Sequence, residues 1–202
     1  RLMRSGDLDA VLRRWRESVE NVPHPDTMGP LMLATAFAAH GWVEQAREHL
    51  VQAERGPAWD AALEHRLFLD TLLLTFEGQT TQARYAAGRL ERLPLPPIDP
   101  GLVERVRSLR GALAAMERAF AHEAEGGDTE LMLEVGALSP LVHWPMRYGA
   151  AINLLDEGEV LQAMKIVEEA PVWPPQSYFR VFHAEIEAEV ERQEPPSSSF
   201  ET

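Results

Sequence analysis

Residues 31–54 read Leu31-Met32-Leu33-Ala34-Thr35-Ala36-Phe37-Ala38-Ala39-His40-Gly41-Trp42-Val43-Glu44-Gln45-Ala46-Arg47-Glu48-His49-Leu50-Val51-Gln52-Ala53-Glu54. Leu33, Ala36, Phe37 and His40 recur at helical spacing before Gly41. Val43, Ala46, Leu50 and Ala53 do so after it. Two amphipathic helices broken at one glycine make a helical hairpin, because glycine tolerates the positive φ that ends a helix. The small residues let the two helices approach, and the large ones fill what remains.

The hairpin recurs. Gly78-Gln79-Thr80-Thr81-Gln82-Ala83 and Gly158-Glu159-Val160-Leu161-Gln162-Ala163 repeat the pattern of Gly41-Trp42-Val43-Glu44-Gln45-Ala46. Gly6-Asp7-Leu8-Asp9-Ala10-Val11 is a fourth copy, with Val11 at the alanine position. The glycines lie 35, 37 and 80 residues apart, the last interval reading as two units of which one has lost its signature. In residue type and offset, Leu33, Ala34, Phe37, Gly41, Ala46, Leu50 and Ala53 resemble a tetratricopeptide (TPR) repeat, whose period is about 34 residues. There are departures. Pro30 stands at the family's first aromatic, the closing proline is displaced to Pro57, and Asp70 replaces a leucine in the second unit.

The resemblance implies an all-α chain, a right-handed α-solenoid of antiparallel helix pairs with about nine to ten helices, over residues 1–193. The spacing places helices near 7–21, 30–55 (two), 58–77, 80–92, 101–123, 129–135, 145–156, 159–170 and 176–193. Asp99 reads as the cap of the long middle helix, with Pro100 at its first position. Leu102, Val106, Leu109, Leu113, Met116 and Phe120 form a heptad-like seam along it, read as a buried face or as a self-association surface. Residues 194–202 compose a polar tail in which Phe200 is the one large apolar anchor.

The 202-residue chain has a net charge of −13 and no cysteine, which removes disulfides and thiolate metal sites. Residues 1–118 carry 15 basic and 16 acidic side chains, and residues 119–202 carry 4 and 16. Nucleic-acid binders need a basic face, so that class is disfavoured, as is an anionic membrane surface. An acidic half instead suits a basic partner. No apolar run is long enough for a membrane helix, so direct insertion is not expected. The start at Arg1 suggests a piece of a longer, cytoplasmic protein.

No nucleotide-binding, zinc-protease or hydrolase motif occurs, and the seven histidines are scattered. The expectation is therefore a non-enzyme with no catalytic residue, metal or cofactor. In TPR proteins the first helix of each pair lines a concave groove. Carried over by position, the groove here comprises Met28, Leu31, Thr35 and Ala38, then His65, Phe68, Leu72 and Thr75, then Tyr148, Ile152 and Leu155. The resemblance implies a protein–protein interaction scaffold, monomeric, that holds an apolar, amphipathic or basic peptide or partner protein. The family's carboxylate-clamping residues are missing from these positions. The alternative is a regulatory or sensory module of a larger enzyme or membrane protein whose active part lies before Arg1.

Overall fold

Three helix ends are set by a left-handed glycine: Gly41, Gly78 and Gly158 have φ of 75°, 70° and 80°. At each, the glycine N–H bonds back to the third residue before it, and the next N–H reaches five residues back: Trp42 to Phe37, Gln79 to Leu74, Glu159 to Leu154. This Schellman pattern satisfies helix-end carbonyls and turns the chain. His122 makes the same turn without a glycine. Its φ is 58°, its N–H bonds Ala119 and the Glu123 N–H bonds Arg118. The unit that had lost its signature therefore turns at His122, and the 80-residue interval divides into 44 and 36.

The computed structural model describes residues 4–19, 21–95, 97 and 99–193. The tail at 194–202, with its Phe200 anchor, lies outside them, as do residues 1–3. The described residues form ten α-helices and no strand: α1 (Leu8–Val19), α2 (Pro25–Ala39), α3 (Val43–Glu54), α4 (Leu63–Phe76), α5 (Thr80–Arg92), α6 (Pro100–Phe120), α7 (Asp128–Leu138), α8 (His143–Asp156), α9 (Val160–Val167) and α10 (Tyr178–Gln193). Short 3₁₀ turns at Asp60–Ala62 and Pro140–Val142 precede α4 and α8.

Several boundaries differ from the sequence reading. α2 starts at Pro25, not near residue 30, and carries Pro30 inside it. Pro25 suits a first helical position, where a missing N–H costs nothing. α4 starts at Leu63 rather than 58, because the preceding turn is wound as 3₁₀. Asp99 caps α6 as expected, its carboxylate accepting the Leu102 N–H at 3.2 Å.

α2 packs on α3, α4 on α5 and α8 on α9, and α6, α7 and α8 all pack against one another. Ala46, Ala83 and Ala163, five residues after the glycines, are all fully buried. Asp70, which breaks the family pattern, is answered from the neighbouring hairpin. Arg47 on α3 approaches it at 3.4 Å and grips Glu77 at 2.8 and 3.1 Å.

α2 packs on α4, α4 on α6, α6 on α8, and α8 returns to touch α2. These four helices form a ring. Residues 171–179 fasten it. The Tyr178 N–H donates to the Gly41 carbonyl at 2.8 Å, and Ser177 Oγ donates to the His40 carbonyl at 2.6 Å. Trp173 donates to the Tyr148 hydroxyl at 2.6 Å, and Phe179 stacks on the Tyr148 ring at 5.0 Å. At the other terminus the Trp144 indole donates to the Arg4 carbonyl, and Arg4 donates to the carbonyl of Ala137.

Candidate functional site

The ring has a packed waist with a cavity at each mouth. α4 traverses both. Glu64, His65 and Phe68 line the first cavity, Leu72 is sealed in the waist, and Thr75 and Phe76 line the second. α6 repeats the sequence of environments: Leu109 and Leu113, then buried Met116, then Phe120.

This splits the groove drawn from the sequence. Thr35, His65 and Phe68 stand on the first cavity, and Thr75 and Ile152 on the second. Ala38, Leu72 and Tyr148 belong to no groove. All three have no exposed surface, because the ring closes where an open array would leave a concave face. Leu31 is buried with them. The heptad-like seam of α6 faces the ring interior, with Leu113 and Met116 fully buried and Leu102, nearest the helix start, exposed.

The first cavity measures about 750 Å³. Met28 and Met32 of α2, Phe68 of α4 and Leu109 and Leu113 of α6 supply its apolar wall. Trp15 and the Val22-Pro23-His24 loop flank it. Its polar groups are few. Thr35 Oγ1 donates to the Leu31 carbonyl at 2.9 Å, which uses its one proton. His65 Nε2, 2.7 Å from that oxygen, is therefore the donor. Burial lowers the His65 pKa from its ordinary value and keeps the ring neutral. Arg110 is 3% exposed and bonds the Leu93 carbonyl at 2.7 Å and Glu64 Oε1 at 2.8 Å. Its Nε is buried with no partner among the described residues. Sequence reasoning passed over Arg110, since an arginine on a long helix reads as solvated. The departure that could have marked it is its position one residue past the apolar seam residue Leu109.

The second cavity measures about 640 Å³ and has a different character. Phe76, Phe120, Phe182, Ile152, Leu155 and Ile186 form an apolar floor. The three phenylalanine rings lie 5.1 to 6.0 Å apart. The rim is acidic: Asp156, Glu185 and Glu189, answered by Arg192 and by His122, whose Nδ1 is 2.8 Å from Asp156. α10 supplies three of these five rim groups, Glu185, Glu189 and Arg192, so the last helix builds the cavity as well as covering the ring.

Among the described residues no group of three His, Asp or Glu side chains is placed to hold a metal ion, and no helix is long and apolar enough to cross a membrane. In the first cavity the Thr35 hydroxyl stands beside the His65 imidazole, but its proton lies on the Leu31 carbonyl, so His65 Nε2 donates to it rather than accepting from it. No protein-family model, curated protein or solved structure matches the chain.

Proposed function

We propose that this chain is a non-catalytic binding module, a TPR-like right-handed superhelix of antiparallel helix pairs whose first and last turns meet, acting in the cytoplasm. It captures a basic, amphipathic helical segment of a partner protein in the second cavity. The observation that carries this reading is an apolar floor of three phenylalanines under an acidic rim. The floor offers buried area to a partner's apolar stripe, and Asp156, Glu185 and Glu189 meet its lysines or arginines. The excess of acid over base after residue 118 extends the same attraction beyond the contact and favours encounter.

The test uses two designed peptides of equal length, one of leucine and lysine and one of leucine and glutamate, titrated into the chain. The leucine–lysine helix is expected to bind, more weakly as salt rises. The leucine–glutamate helix is expected not to. Phe182→Ala is expected to weaken binding roughly tenfold by removing floor area, and Glu185→Lys to weaken it through the rim alone. Equal binding of both peptides, unaffected by either substitution, would sink the reading.

A second reading, a regulatory or sensory module of a larger protein, draws on the first cavity. Its lining of methionine and leucine side chains around one buried arginine suits a small molecule with a single polar group.

A further inference from the structure

We infer that the first cavity is a site for a single-chain carboxylic acid, its alkyl chain among the methionines and leucines and its carboxylate on the guanidinium of Arg110. The site lies at the opposite mouth of the ring from the peptide site and stands independently of it.

Three observations carry the assignment. The cavity is of ligand size, and its wall is hydrocarbon and thioether, which accepts a flexible chain without demanding one shape. Arg110 is the one Lys or Arg among its lining residues, and it is almost wholly withdrawn from water. A cation buried this far requires an anion. The anion present is Glu64, whose side chain is 55% exposed against 4% for Arg110.

That asymmetry makes the pair exchangeable. Leu93 and Pro94 hold the guanidinium through backbone carbonyls, so Arg110 stays in place when Glu64 leaves. Glu64 needs only to rotate into the water it already touches. An incoming carboxylate takes over the charge-assisted bond that Glu64 makes at 2.8 Å. Charge in the cavity is unchanged by the exchange. His65 is neutral and donates to Thr35, so discrimination between an acid and a neutral amphiphile falls to Arg110.

The experiment is calorimetric titration of the 202-residue chain with decanoate and with decanol, both below the concentration at which they aggregate. Decanoate is expected to bind about tenfold more tightly than decanol. Glu64→Gln, at a half-exposed position, is expected to tighten decanoate severalfold and leave decanol unchanged, because it removes the competing anion. Arg110→Gln is expected to abolish the preference for the acid. Leu109→Trp, which fills the cavity, is expected to weaken both ligands. The proposal is overturned if neither ligand binds, if acid and alcohol bind equally, or if the preference survives Arg110→Gln. Should Arg110→Gln fail to fold by circular dichroism, Glu64→Gln decides alone, and unchanged decanoate affinity there rejects the exchange.

Discussion

At the scale of single residues, the turns separate backbone strain from packing. Gly41 and Gly78 share a left-handed conformation, yet a Cβ on Gly78 meets nothing within 4 Å, while one on Gly41 falls 2.8 Å from Ser177 Oγ and 2.9 Å from the Phe179 ring. Gly78→Ala is expected to cost about 1–2 kcal/mol, the left-handed penalty alone. Gly41→Ala is expected to cost more, because residues 177–179 must also move. His122 bears the same penalty already, and its pairing with Asp156 is exposed and adds little. His122→Gly is therefore expected to raise the unfolding free energy by about 0.5–1 kcal/mol in urea titrations. A second prediction concerns acid. His40 is fully buried, its Nδ1 donates to the Ala36 carbonyl at 2.7 Å, and its Nε2 has no partner. Burial lowers its pKa, and those of His49, His65 and His143, below the ordinary 6.5. The unfolded chain thus binds protons first as pH falls. Stability is full above about pH 6.5 and declines below it, toward the depressed folded values. Asp70 and Glu117, raised by burial, act in the opposite sense at lower pH. The drop in thermal midpoint between pH 7.5 and 5.5 is expected to shrink in His40→Gln.

At the scale of elements, the glycine–alanine signature made three glycine turns between helices legible and placed α5 at 80–92, as found. It missed the turn at His122, because a histidine in the left-handed region leaves no mark in sequence. It also found the inner faces of the helices without finding what they face. Ala38, Leu72 and Tyr148 sit where an open groove would put them, but ring closure depends on contacts more than a hundred residues apart, for which no local pattern exists. The buried alanines can be tested directly. Ala46→Leu is expected to overpack the α2–α3 contact and cost about 1–3 kcal/mol. Along α6, Met116→Ala should cost about 2–5 kcal/mol by leaving a cavity in the waist. Leu102→Ala, on the exposed first turn, should fall within about 0.5 kcal/mol of wild type. Equal effects at the two positions in thermal melts would mean that α6 is turned the other way.

At the scale of the whole molecule, closure changes how the chain should unfold. In an open repeat array each unit touches only its neighbours, so ends fray and transitions broaden. Here residues 171–179 bond Tyr148 of α8 on one side and His40 and Gly41 of the α2–α3 turn on the other, tying late helices to early ones. Loss of α10 therefore uncovers Phe76 and Tyr148 as well as its own apolar stripe. Calorimetry is expected to give one transition, with calorimetric and van't Hoff enthalpies equal. Two resolved transitions would show that the halves melt apart.

The bond between Tyr178 and Gly41 also bears on how such a chain can change length. A linear array lengthens by tandem duplication, each new unit stacking on the last at no cost to the others. A closed one has a circumference, and the circumference admits a fixed number of pairs. A second copy of residues 63–92 would carry α8 away from α2 and strip Ser177 and Phe179 from the turn they cover. Geometry thus opposes duplication within this segment, while a substitution on an exposed face, such as Leu102 on the first turn of α6, leaves the closure intact.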